Sequence, residues 1–93
     1  MSENRYSQLQ TTMQKPAQQK AEIANCSTTM GDMAPERRQT FATLADTSVA
    51  NVPVTFCRRL VQGVASGKLT REDINSVYKG NLTPNTLKVI QGR

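Results

Sequence analysis

The sequence predicts an all-α protein, a small bundle of about four short helices that follows a polar N-terminal arm. Apolar side chains recur at helical spacing along residues 35–93, and no stretch shows the period of two that is typical of a strand. Helix-start and helix-stop residues divide the same part of the chain into short segments. With 93 residues, the chain has room for one small domain.

Composition divides the chain before Pro35. Residues 35–93 contain 16 Val, Leu, Ile and Phe, residues 1–34 contain only two, and the whole net charge of +5 lies in the second part. Because burial of apolar surface must offset the loss of chain entropy, residues 1–34 cannot fold alone. We therefore expect a helical domain over 35–93 and an arm over 1–34 that is either partly helical or disordered.

One face of the arm is apolar enough to dock. Tyr6, Leu9 and Met13 recur at i, i+3 and i+7, and Ile23 lies in a second stretch of good helix formers. We interpret these four side chains as a candidate docking stripe that covers either the core of the domain or a partner. Because so small a domain is only marginally stable alone, we expect a docked arm or a homo-oligomer to add buried apolar area.

The first two helices of the domain are predicted over about 35–46 and 53–66. Each begins with a proline, which is favoured in the first turn because its missing N–H has no helical partner there. Gly67 is a suitable C-terminal stop for the second helix. Gly63 lies inside that helix at a cost of about 1 kcal/mol relative to Ala, which a close helix crossing would explain.

The last two helices are predicted over about 71–79 and 84–91. Thr70 and Thr83 precede them as N-caps, since a threonine hydroxyl can accept a hydrogen bond from a free N–H of the first turn. A leucine precedes each cap and an apolar residue follows four positions after it, which is the pattern of a hydrophobic staple. The predicted core consists of Phe41, Leu44, Val54, Phe56, Leu60, Val61, Val64, Leu69, Ile74, Val77, Leu82, Leu87 and Ile90.

The residue types argue against catalysis and against metal binding. The chain has no His, which is the commonest general base and zinc ligand, and its two cysteines cannot form a zinc site alone. Glu72 and Asp73 are adjacent, so on a helix their side chains point about 100° apart, and we interpret them as capping residues. We expect no enzyme, no catalytic residue, no cofactor and no metal.

The sequence favours a cytoplasmic location. No stretch approaches the roughly 20 apolar residues that cross a membrane, and the N-terminus lacks the apolar region of a secretion signal. Because disulfides are rare in a reducing cytosol, we expect free thiols at Cys26 and Cys57. We expect no membrane partner.

Paired arginines lie on the first two predicted helices of the domain, at Arg37 and Arg38 and again at Arg58 and Arg59. Residues 51–60, NVPVTFCRRL, resemble the start of the second helix in helix-turn-helix proteins, with one spacer residue fewer. The resemblance implies a basic helix that could enter a major groove and contact phosphates. These arginines are candidate contacts with nucleic acid or with a partner, and we expect removal of the second pair to leave the fold intact.

The leading functional hypothesis is a small non-catalytic cytoplasmic binding protein, either a protein-interaction module or a small regulator. Its partner would be a protein that contacts helix faces of the domain or the docking stripe. The alternative is a helix-turn-helix-like nucleic-acid-binding regulator that uses the two arginine pairs. A net charge of +5 is mild for a nucleic-acid-binding domain, and no basic tail is present.

Overall fold

The computed structural model describes residues 1–92, which form six α-helices and one 3-10 turn and no strand. Helices α1 to α6 span Glu3–Thr12, Pro16–Met30, Pro35–Ala45, Val52–Ser66, Arg71–Tyr78 and Pro84–Ile90, and the 3-10 turn spans Val49–Asn51. The predicted all-α class is confirmed. The helix count is higher than the predicted four, because residues 1–34 form two helices of their own, whereas the other four agree with their predicted bounds to within one residue.

Helix α4 is the centre of the fold, and α1, α2, α3 and α6 pack against it. Val54 was expected in the core, but it is 51% exposed and Val52 is 1% exposed instead. The helix begins at Val52, one residue before the predicted start, and Val54 lies about 200° around the helix from it. The buried residues of α4 are Val52, Thr55, Phe56, Cys57, Val61, Gly63 and Val64.

The docking stripe lies against the protein's own core. Met13 is buried in a cluster with Val61, Val64, Leu69, Ile74 and Val89, and the other three stripe residues, Tyr6, Leu9 and Ile23, are half-buried against that cluster. The Tyr6 hydroxyl also donates a hydrogen bond to the Leu69 carbonyl. The division into an arm over 1–34 and a domain over 35–93 stays a prediction about folding, although the two parts share one core.

Close contacts with the loop after α4 and with α6 explain the glycine inside α4. A Cβ atom at Gly63 would lie 2.7 Å from Leu69 Cδ1 and 3.0 Å from Val89 Cγ1. The Leu69 N–H donates to the Gly63 carbonyl at 3.0 Å, and this hydrogen bond holds the loop after α4 against Gly63. Any side chain at this position would therefore push Leu69 and α6 away from α4.

Both predicted N-caps are present. The Thr70 hydroxyl accepts from the Asp73 N–H, and the Asp73 carboxylate accepts in return from the Thr70 N–H, which completes a capping box. The Thr83 hydroxyl accepts from the Thr86 N–H at the start of α6. These starts were predictable because a cap depends on a few consecutive residues.

Asp73 also joins the two last helices, which the sequence did not indicate. Its side chain is 6% exposed, and its Oδ1 accepts a hydrogen bond from the Thr83 hydroxyl at 2.5 Å. Its Oδ2 accepts from the Thr70 N–H at 2.9 Å and from Asn85 Nδ2 at 2.7 Å. Burial raises the pKa of Asp73, but these hydrogen bonds outweigh it and lower the pKa to about 2.

The free energy of unfolding is expected to fall as the pH drops from about 4 to about 2. The ionised Asp73 carboxylate stabilises the folded state above its unfolded pKa of 3.8, and that contribution is lost as the pH falls through the folded pKa of about 2. The shift corresponds to roughly 2 kcal/mol. Urea unfolding at pH 6 and pH 2.5 should show a smaller pH effect in Asp73→Asn than in the parent.

The matched control for this prediction is Asp32→Asn, because Asp32 is exposed. It should keep the parent's pH dependence. An Asp73→Asn variant that loses stability with acid as steeply as the parent would contradict the assignment.

Candidate functional site

A groove with a volume of about 490 Å³ opens between α2 and the helices α3 and α5, with α4 as its floor. That volume is in the range of pockets that bind small ligands or take several apolar side chains of a partner. Phe56, Leu60, Val61 and Val64 of α4 line the floor. At one end, the rings of Phe41 and Phe56 meet edge to face with centroids 4.9 Å apart.

The two walls of the groove are apolar and adaptable. Met30 on α2 and Met33 just after it line one wall, and Met13 lines the groove where α1 ends. Methionine fills irregular spaces, and it is common on surfaces that adapt to a partner. The opposite wall is lined by Ile74, Val77, Tyr78 and Leu82. Tyr78 is 71% exposed, so an apolar ring stands at the mouth of the groove.

Charged side chains lie at the edge of the groove. Glu22 and Asp32 line it from α2 and from the turn that follows, and Arg37 lines it from α3. All three are exposed, and the one ion pair found within residues 1–92 is Arg71–Glu72 at 3.2 Å. The rim charges are therefore available to orient a bound molecule.

The prediction of free thiols is wrong, because Cys26 and Cys57 form a disulfide between α2 and α4. The two helices pack along each other and bring the cysteine Cα atoms to 5.8 Å, a normal separation for a disulfide. Cys57 is buried, whereas Cys26 is half-buried and lines the groove. The prediction of free thiols followed from the expected cytoplasmic location. The sequence did contain one indication that Cys26 faces the rest of the protein, because Ile23, Cys26 and Met30 share one face of α2.

Two of the four candidate arginines stabilise helix ends. Arg38 donates from Nη2 to the Gly31 carbonyl at 3.0 Å, at the C-terminus of α2. Arg59 donates from Nη1 to the Ala45 carbonyl at 2.7 Å and to the Ile90 carbonyl, the last residues of α3 and α6. The expectation that the fold survives without Arg59 stays a prediction, and these contacts weigh against it, because α4 holds this side chain between two helix C-termini.

The structure does not bring the four arginines to one cavity. Arg37 lines the groove, whereas Arg58 and Arg59 line a second concavity beside α6. Of the docking stripe, Leu9 and Met13 line the groove. The α2 wall was missed, because the sequence does not show which helix lies opposite it.

Among residues 1–92, no helix has both the length and the apolar character needed to cross a membrane. The same residues contain no group of three or more His, Cys, Asp and Glu side chains that could hold a metal ion. No protein-family model matches the chain, and neither a curated protein nor a solved structure matches it.

Proposed function

We propose that this protein is a small non-catalytic interaction module whose groove binds the apolar face of a helix from a partner protein. The observation that carries the proposal is the apolar groove between α2 and α5, open to solvent, with the exposed Tyr78 ring at its mouth. Open apolar grooves of this kind are where amphipathic helices dock, through side chains spaced by three and four residues.

The length of the groove wall suits a helix. α2 contains 15 residues, so it is about 22 Å long, and it packs mainly against α4 and leaves its other side open. Because methionines line this wall, they can adjust to the side chains that a partner inserts. A partner helix lying along α2 would cover the groove floor from Phe56 to Val64.

The rim charges favour one direction of binding. A basic residue of the partner would face Glu22 and Asp32, and an acidic residue would face Arg37 on the other side. Complementary charges at the rim of an interface mainly set the association rate and the orientation, and the buried apolar contacts supply most of the affinity. We infer that the partner helix carries both charges on the flanks of its apolar face.

The docking stripe is not the proposed contact, because Met13 is already buried in the protein's own core. The arrangement of the arginines weighs against the nucleic-acid alternative. Arg38 and Arg59 donate to backbone carbonyls, and Arg37 and Arg58 line different cavities. Binding to a duplex depends on several phosphate contacts on one surface.

A cytoplasmic location stays a prediction, and the disulfide weighs against it because such bonds persist mainly in oxidising compartments. Self-association also stays a prediction. A second copy of this chain would be one of the partners that the following experiment can detect.

The test is site-specific photocrosslinking in the cells that make the protein. A photoreactive residue replaces Tyr78 in one variant and Val54 in the control, since both are exposed apolar residues and only Tyr78 lines the groove. We expect one dominant protein adduct from position 78 and none from position 54, with the crosslinked segment of the partner in an amphipathic helix. No adduct at position 78, or the same adducts at both positions, would contradict the proposal.

A further inference from the structure

A second concavity, with a volume of about 310 Å³, lies between α4 and the C-terminal end of α6. Three cationic residues line it, Arg58 and Arg59 from α4 and Lys68 from the loop that follows. No acidic residue lines it, and the one ion pair within the described part of the chain, Arg71–Glu72, involves none of the three. Among residues 1–92, the lining of this recess therefore contains three positive charges and no carboxylate.

One of the three cations is held in place before any ligand arrives. Arg59 Nη1 donates to the carbonyls of Ala45 and Ile90, which fixes the plane of the guanidinium group. A Cβ atom built on Gly92, which has a φ of +79°, would lie 3.6 Å from Arg59 Nη2, so the group sits beside the backbone of Gly92 in the recess. A fixed guanidinium loses less conformational entropy when it binds an anion than a free side chain does.

A neutral donor extends the positive surface along α4. Arg58 and Gln62 lie four residues apart, so they share one side of the helix. The exposed Gln62 amide can donate hydrogen bonds beside the charged groups, whereas the Ser66 hydroxyl already donates to the Gly63 carbonyl at 3.3 Å. Phosphoryl oxygens are recognised by this combination of a guanidinium group, an ammonium group and a neutral donor.

We propose that this recess binds a compact polyanion, the phosphoryl groups of a small phosphorylated molecule. A compact ligand fits better than an extended nucleic-acid backbone, because the cations converge on one concavity. The other arginine pair does not continue the surface, since Arg37 lines the apolar groove and Arg38 donates to Gly31. The recess therefore forms a site separate from the groove, and it does not depend on the function proposed for the groove.

The experiment is isothermal titration of the full chain with inorganic pyrophosphate at about 50 and 150 mM NaCl, salt concentrations over which phosphate contacts weaken measurably. Arg58→Gln and Lys68→Gln each remove one charge at an exposed position, so the fold should survive, and thermal melts check this. Lys88→Gln is the matched control, because Lys88 is exposed on α6 and does not line the recess. Arg59 is left unchanged because it supports two helix ends.

We expect one pyrophosphate per chain, with affinity reduced about tenfold by Arg58→Gln and by Lys68→Gln, the loss typical of a hydrogen bond to a charged group. Lys88→Gln should change the affinity by less than about twofold, as a distant exposed charge does. Equal losses in all three variants, or no saturable binding, would overturn the proposal. Tighter binding of a DNA duplex that also depends on Arg37 would overturn it in favour of nucleic acid.

Discussion

Removal of the Cys26–Cys57 disulfide is expected to lower the free energy of unfolding by about 3 to 4 kcal/mol. The bond joins residues 31 positions apart. In the chain-entropy account, closing a loop of that length lowers the entropy of the unfolded chain, which raises the free energy of the unfolded state by this amount. A small domain is commonly stable by only about 5 to 15 kcal/mol, so the loss is a large fraction of the total.

The loss should appear first in α2. No residue of α2 is buried, and Lys15 at its N-terminus provides no side-chain cap. The disulfide is therefore the strongest single connection between this helix and α4. Hydrogen exchange after reduction should accelerate along α2 before it accelerates in α4, and the groove should lose one wall.

The measurement is guanidinium unfolding of the oxidised parent, of the same protein after reduction by a dithiol, and of the double variant Cys26→Ala/Cys57→Ala. The reduced parent and the double variant should share a lower midpoint. The dithiol should leave the double variant unchanged, which controls for effects of the reagent itself. Equal midpoints for the oxidised and reduced parent would show that the bond does not stabilise the fold.

Truncation of Leu69 is expected to cost about 2 to 5 kcal/mol, the range found when a buried leucine is replaced by alanine. Leu69 is 0% exposed and packs in the cluster that contains Met13, Ile74 and Val89. Its side chain also fills the space beside Gly63, so Leu69→Ala leaves a cavity between Gly63 and the loop that follows α4.

Val54→Ala is the matched control, because it removes methyl groups from a side chain that is 51% exposed. Its free energy of unfolding should stay within about 0.5 kcal/mol of the parent, as at most exposed positions. Urea unfolding of both variants gives the comparison directly. A Leu69→Ala variant as stable as Val54→Ala would show that the packing around Gly63 is wrong.

Features set by a few consecutive residues were predictable from the sequence. The bounds of α3 to α6, the caps at Thr70 and Thr83 and the close packing at Gly63 all depend on local chemistry or on a rule about one residue type. The first turn of α4 was less predictable, since Val54 was expected in the core and the buried residue there is Val52.

Features set by which helices meet were not predictable. The disulfide, the contact of Arg59 with two helix ends and the bonds from Asp73 to α6 each join residues at least 10 positions apart. The groove exists only because α2 lies along α4 and leaves a gap towards α5. A single sequence contains no direct signal for such pairings, and the docking stripe did not show whether the arm covers the core or a partner.

The most direct test of the proposed helix-binding groove is the affinity of the purified protein for the crosslinked partner segment, measured as a labelled peptide by fluorescence anisotropy. Tyr78→Asp places a charge at the mouth of the groove, and Val54→Asp makes the same change at an exposed position outside it. We expect Tyr78→Asp to weaken binding by about tenfold or more, as loss of an aromatic anchor does, and Val54→Asp to leave it unchanged. Equal affinities for the two variants would contradict binding in the groove.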